Sequence, residues 1–580
     1  MKIYLSALSL LLIVCFGCTG NETSTLPPSD SMPESPFDES AFGSNTLVFD
    51  TTMEMSAIQH TLDSLFVPLG DREGHFSDLR YALMFKPGRY QLDIRVGYFM
   101  HVIGLGTSPE DVVIEGAVRS NSFRETGNVL INFWRGVENL TIVPTENDDT
   151  NTWGVSQAAP MRRVHVKGNL KIHDDHYASG GFIADSKVDG TIDAGGGQQW
   201  YTRNSLMGNW TGGNWNVFFQ GVPGAPTENW PETPVTTIAT TDRIREKPYL
   251  VYENGAYSVK LPAMRENAQG TSWAEKDSSI SITSFYLARP DKDDAATLNE
   301  ALARGMHLLL TPGIYELAEP LRVDRTESIV MGTGFANLVA TNGNSVLEVA
   351  DAEGITIAGL LVDAGPAASP ELIRIGEPGA AKRHSDNPTF LFDVFVRIGG
   401  PFAGMAEKCL VINSSDVVID HTWLWRADHG EGVGWDINRS ANGLVVNGDN
   451  VTAYGLFCEH FQEYQTLWNG EGGKVYFFQC EMPYDPPTTE SWKHNGTYGY
   501  AAYKVADSVQ THEAYGVGIY NVFYDAHVIV DQAIECPPHL EDDFYHLITF
   551  WLNGMEESEV RSIINGKGKA VNINNRKATL

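Results

Sequence analysis

The strongest constraint in this sequence is that it repeats itself at two scales. Phe85-Lys-Pro-Gly-Arg-Tyr90-Gln-Leu92 returns as Leu310-Thr-Pro-Gly-Ile-Tyr315-Glu-Leu317. Val102-Ile-Gly-Leu-Gly106 returns as Val330-Met-Gly-Thr-Gly334, and Glu138-Asn-Leu-Thr-Ile142 as Glu353-Gly-Ile-Thr-Ile357. Three motifs in one order at similar offsets mark a tandem duplication, and fixed-period self-similarity is the signature of repeat architectures. A finer period runs inside the second half. Asn447-Gly448 recurs as Asn469-Gly470, and Cys458-Glu459 as Cys480-Glu481, each 22 residues on. Short β-branched and aromatic stretches broken by Gly, Asn and Asp fill the chain between. A sandwich has no reason to repeat two dipeptides at one offset. Coils of constant length stacked in register do. The expected fold is all-β: two tandem right-handed parallel β-helices forming one unit, with an Asn ladder at one corner.

The chain has 580 residues, beyond the size at which one core stops growing. The expected divisions are a signal peptide at 1–18, a flexible tether at 19–45, an N-terminal β-helix at 46–222, a connector at 223–284 and a C-terminal β-helix at 285–580. The start reads as an export signal, with a positive Lys2 and a short apolar run from Ile3 to Val14. Gly17-Cys18 resembles a bacterial lipoprotein cleavage site, so Cys18 is the expected lipidation point. The predicted location is the outer membrane or cell surface of a bacterium, with plain secretion the runner-up. Any membrane contact would run through that lipid alone. Residues 19–45 are rich in Ser, Thr, Pro, Asp and Glu and lack the apolar content for a core.

A formal net charge of -32 disfavours nucleic acid, anionic membranes and polyanionic glycans as partners. A neutral substrate fits better, and a monomer is expected. Cys409, Cys458, Cys480 and Cys536 match no zinc spacing and read as buried thiols. No metal site is expected.

The period carries chemistry. Neighbouring strand residues face opposite sides. If Cys458 and Cys480 point inward, Glu459 and Glu481 point outward, one coil apart at about 4.8 Å. Counting 12 residues on from Asn413, Asn447 and Asn469 puts Trp425, Glu459 and Glu481 in one external column. Like charge and apolar surroundings raise one carboxyl and prepare a general acid. Trp423, Trp435, Trp468, Tyr484 and Trp492 crowd the same region, and Trp153, Trp200, Trp210 and Trp215 mark the first half. Aromatic faces with acids between them suit pyranose rings. Trp425, Trp468, Tyr484 and Trp153 are the expected substrate-binding set.

Six stretches make the resemblance specific. They are Trp153-Gly-Val-Ser-Gln-Ala-Ala-Pro160, Ser179-Gly-Gly-Phe-Ile-Ala-Asp185, Trp423-Leu-Trp-Arg-Ala-Asp-His429, Tyr454-Gly-Leu-Phe-Cys-Glu-His460, Gln479-Cys-Glu-Met-Pro-Tyr-Asp485 and Tyr503-Lys-Val-Ala-Asp507. Together they resemble bacterial members of glycoside hydrolase family 55. That resemblance implies an exo-acting β-1,3-glucanase with its active site at the junction of twin β-helices, inversion of configuration, and no cofactor. It implies Glu481 as general acid, Glu459 as a second active-site carboxylate, and Gln157 and Ser179 as holders of the attacking water. Carboxylates only about 5 Å apart would by themselves suggest retention. The resemblance favours inversion, and the base stays open. The rival readings are a β-helical lyase or hydrolase acting on another glycan, and a non-catalytic glycan-binding protein.

Overall fold

The structure, a computed structural model, describes residues 37–123 and 127–580. The export segment, Cys18 and most of the expected tether lie outside the described residues. From Asp38 to Leu580 the chain forms a single unit.

The first half stacks parallel strands in chain order: Thr46–Phe49, Tyr81–Phe85, Met100–Gly104, Arg135–Pro144, Pro160–Val166, Phe182–Ala184, Gln199–Arg203, Asn216–Gln220 and Val235–Ile238. The second half repeats the plan from Phe285–Ala288 to Phe544–Gly554. There a second parallel sheet closes the coil, running from Leu321–Val323 through Asn442–Val446 and Thr466–Trp468 to Ile534–Glu535. Both halves are right-handed parallel β-helices, the hand favoured for parallel crossovers. Each opens the same way, with a strand, a short helix (Met55–Phe66 or Ala295–Ala303) and then the second coil. Ile58 and Leu62, and Leu298 and Ala301, are buried beneath those helices. The helices thereby cover one end of each stack, where open strand edges invite pairing.

The duplicated Pro-Gly-x-Tyr motif does the same work twice. The Tyr90 hydroxyl donates to the Lys86 carbonyl at 2.7 Å, and the Tyr315 hydroxyl to that of Thr311 at 3.0 Å. Gly88 and Gly313 share φ values of 155° and 157°. A side chain at either would collide with Thr51 or Pro290 of the preceding coil.

The long strands of the second half turn a corner that the sequence does not announce. Asp393, His421, Gly455, Phe477, Gly516 and His546 occupy successive coils and all have positive φ. One left-handed residue per coil bends each strand while preserving the stack. The Asn ladder is present beside it: Asn469 donates to Asn447, and Asn447 to Asn413, each at 2.8 Å. Cys458 and Cys480 lie in the core, and all four described cysteines are free and buried.

Two boundaries shift. The first β-helix extends to Ile238, because Val217–Gln220 pairs with Val235–Ile238. The connector is therefore 239–284 rather than 223–284. At the other end, residues 38–45 belong to the body rather than to a tether. Phe42 is buried against Tyr257, and Glu39 accepts a hydrogen bond from the Tyr257 hydroxyl at 2.6 Å.

The halves pack through their outer sheet faces. Trp134 stacks on Trp423 at 4.8 Å, Phe182 on His421 at 4.3 Å and Tyr201 on Phe477 at 5.5 Å. Between these rings run buried charges. Arg162 bonds Asp393 and Asp420, while Arg203 bonds Asp420 and Glu246. Lys247 reaches Glu138 at 2.8 Å and Asp393 at 3.3 Å. The charged run Arg243-Ile-Arg-Glu-Lys-Pro248 of the connector is thus an interhelical plug. Its innermost charges, Glu246 and Lys247, are paired, the condition for tolerating ions away from water, while Arg245 lies over the Phe390 ring at 5.8 Å.

Candidate active site

One outward column of the second β-helix meets the first at a cavity of about 630 Å³. Its register is continuous. Arg397 pairs with Trp425, Trp425 with Glu459, Glu481 with Tyr520, and Tyr520 with Phe550. Phe457 pairs with Gln479, and the His460 amide donates to the Glu481 carbonyl at 2.8 Å, so Glu459 and Glu481 continue the ladder. The first helix supplies the opposite wall with Phe133, Gln157, Ser179 and Trp215.

A hydrogen-bonded chain crosses between the halves. Ser179 Oγ donates to Gln157 Oε1 at 2.9 Å. Gln157 Nε2 donates to Glu459 Oε1, also at 2.9 Å. The other carboxylate oxygen, Oε2, accepts from the Trp423 indole at 2.8 Å. Both oxygens of Glu459 are therefore held. Glu481 is less enclosed and accepts a hydrogen bond from the Tyr484 hydroxyl at Oε2.

Burial raises both carboxyls. It lifts Glu459 to about 7, with Asp428 adding repulsion and the Trp423 and Gln157 donors opposing it. Burial lifts Glu481 well above the ordinary range, and the charges of Glu459 and Asp428 push it the same way. One proton shared by such a pair persists to higher pH than either group alone would hold it. Asp428 is the contrast. Although its partial removal from water raises it, Asp428 is held well below the usual carboxylate range, first by its hydrogen bond with His429 and then by the His460 charge. His429 Nδ1 lies 2.9 Å from Asp428 Oδ1.

Glu481, Glu459, Gln157, Ser179, Trp425 and Tyr484 all line this one cavity. Trp425 reaches it as part of an aromatic stack, with Trp423 at 5.1 Å and Phe76 at 6.3 Å. Two expected sugar-binding residues are elsewhere. Trp468 is fully buried in the second core, in register with Val446 and Val505. Trp153 is fully buried in the first core. Both face inward on their coils, so neither can meet a substrate.

Asp428, His429 and His460 had no role from the sequence, and Trp215 only a place among the aromatic residues of the first half, yet all four line the cavity. Asp428 and His429 stand at the end of the Trp423 motif already singled out. Trp215 stacks on Phe550 at 4.4 Å across the junction, a contact that no local pattern announces. Among the described residues no His, Cys, Asp and Glu group could hold a metal ion.

Known proteins place this architecture. Residues 285–481 match the LAM55 pectate lyase-like domain. An exo-beta-1,3-glucanase of Streptomyces sp. (strain SirexAA-E / ActE) is 45% identical over 533 residues, 91% of this chain and 87% of its own length. The crystallised sacteLam55A of Streptomyces sp. SirexAA-E superposes with a TM-score of 0.90 at 43% identity, over 94% of this chain and 98% of that one. A Glu-to-Ala variant of sacteLam55A in complex with glucose superposes equally well, with a TM-score of 0.90 at 43% identity. It covers 93% of this chain and 98% of that one. Paired carboxylates and aromatic rings at the seam of two β-helices are the working parts of a glycoside hydrolase. The similarity spans both helices and the connector that joins them. The chain belongs to glycoside hydrolase family 55.

Proposed function

We propose that the protein hydrolyses β-1,3-glucan from the non-reducing end with inversion, and that it acts outside the cell. The description of the Streptomyces relative supports the substrate and the exo mode. The observation that carries the mechanism is the Ser179–Gln157–Glu459 chain, which joins two polar groups of the first helix to the carboxylate one coil from Glu481. Glu481, kept protonated by burial and by Glu459, gives its proton to the glycosidic oxygen as the bond breaks. A water held near Gln157, Ser179 and Glu459 attacks the anomeric carbon from the other side and passes its proton toward Glu459. A carboxylate with both oxygens engaged is poorly placed to attack carbon itself. That argues against Glu459 as a nucleophile and for inversion, although the two acids are neighbours on adjacent coils. The loop 427–441, with Asp428 and His429 in the wall, supports closure of the cavity beyond one terminal sugar.

The export segment and Cys18 support a surface lipoprotein whose body is held off the membrane by the Ser/Pro-rich tether. Turnover of laminarin by wild type and by Glu481→Gln tests the mechanism. The expected loss in kcat is about 10²–10⁴-fold with binding retained. Near wild-type turnover would remove Glu481 from the acid role.

A further inference from the structure

A second cleft, again of about 630 Å³, lies on the far side of the loop 427–441. It runs along the corner where successive coils enter the second sheet, from Ser369 and Glu407 past Arg439 and Glu463 to Tyr500. One loop therefore serves two cavities. Asp428 and His429 face the catalytic one, and Trp435, Asp436 and Arg439 face this one.

The cleft is built around rings. Trp435 is half-buried, and Trp492, itself part of the second core and only 2% exposed, backs it edge-on at 6.3 Å and 84°. Tyr500 follows at 6.4 Å from Trp492. These rings are fixed from behind. The Trp492 indole donates to the Gln462 carbonyl at 2.6 Å, and the Arg426 guanidinium lies 5.7 Å from the Trp435 ring centre. Arg426 is itself clamped by both oxygens of Asp485, at 2.8 and 2.9 Å. An aromatic set with a fixed posture needs no rearrangement to bind.

Some polar groups of the lining are committed, Gln462 to Trp435 and Ser440, Ser491 to Thr488 and Lys493 to Glu490, while its outermost charges are not. Arg439 is exposed, and its side chain has no hydrogen-bond or ion-pair partner among the described residues, although Glu407, Asp436 and Glu463 line the same cleft. Ordered rings with uncommitted donors and acceptors around them suit a ligand bearing many hydroxyls. The excess of acid over base disfavours a polyanion.

We propose that this cleft is a second carbohydrate-binding site, taking a neutral glucan segment of the polymer whose end enters the catalytic cavity. The choice of β-glucan rests on the function proposed above. A short oligosaccharide confined to the catalytic cavity would gain nothing from the cleft, whereas a polymer would gain affinity from both sites.

The test compares laminarin with laminaritriose, using Trp435→Ala and Arg439→Ala in the full chain. The expected result is a KM for laminarin raised about tenfold in Trp435→Ala and by less in Arg439→Ala. Both constants for laminaritriose should stay unchanged. An unaltered laminarin KM in both variants overturns the inference. Arg439→Ala removes an exposed, unpartnered side chain, so it keeps the test open if Trp435→Ala fails to fold. A wild type inactive on laminaritriose would count against the proposed function instead. Retardation of the same variants in a laminarin-containing gel would then still read the cleft without catalysis. Equal retardation of wild type and both variants overturns it.

Discussion

Glu459 and Glu481 are one residue type on one face of one ladder, yet their surroundings differ. Glu459 has both oxygens held, by Gln157 and Trp423. Glu481 keeps an oxygen toward the cavity and a value raised well above the ordinary carboxylate range. Its proton is useful only while bound, so kcat/KM should fall as pH rises through that raised value. The alkaline limb of the pH profile is expected well above the range of a solvated glutamate, and the residual activity of Glu481→Gln should lack it. An alkaline limb at an ordinary carboxylate value would contradict this environment. The same shifts bear on stability. A carboxyl that binds its proton more tightly folded than unfolded holds its contribution below its unfolded value and loses it as pH rises through the folded one. For Glu459 that loss spans the window from the ordinary range up to about 7. The two acids were legible from the 22-residue spacing and strand parity. Their different roles came from the family resemblance and not from spacing, because Gln157 lies 302 residues from Glu459 in the chain.

At the scale of the coil, the period explains the successes and the two errors alike. Trp425, Glu459 and Glu481 fell into one column because each sits 12 residues after a ladder asparagine. Trp468 was set beside them for its chemistry, when the same period aligns it with Val446, an apolar inward position. Trp153 had no comparable repeat to place it, since the coils of the first half vary in length, 24 residues from Val137 to Met161, 22 from Pro160 to Phe182 and 19 from Phe182 to Tyr201. The corner of positive-φ residues was also hidden, because glycine marks it only at Gly359, Gly455 and Gly516 while Asp393, His421, Phe477 and His546 fill the other coils. The two tryptophans of the second helix should therefore respond oppositely. Trp468→Ala empties a core position and should cost about 3–5 kcal/mol in denaturant unfolding, with KM unchanged in the folded protein. Trp425→Ala should act mainly on KM for laminarin. A stable Trp468→Ala with weakened substrate binding would return that ring to the site.

The whole molecule works as one body because its charges are sorted by place. The net charge of -32 sits on a surface suited to neutral polymers, while Arg162, Arg203 and Lys247 are drawn into the seam and matched there by Asp393, Asp420, Glu246 and Glu138. Such a seam fixes the first helix against the second, and with it the reach of Gln157 and Ser179 to Glu459. The duplication and the β-helices were readable from repeats. The seam was not, since it joins residues far apart in the chain and its connector was visible only as a charged run. In the mechanism proposed above, a rigid seam also sets the chemistry, with water held from one helix and the proton given from the other. The most direct measurement is a time course on an end-labelled β-1,3-gluco-oligosaccharide, with the product anomer read by NMR before mutarotation. Glucose released first as the α-anomer, with long chains shortening one unit at a time, is the expected result. A β-anomer would make Glu459 the nucleophile of a retaining enzyme, and an early spread of mid-length products would mean an open, endo-acting groove.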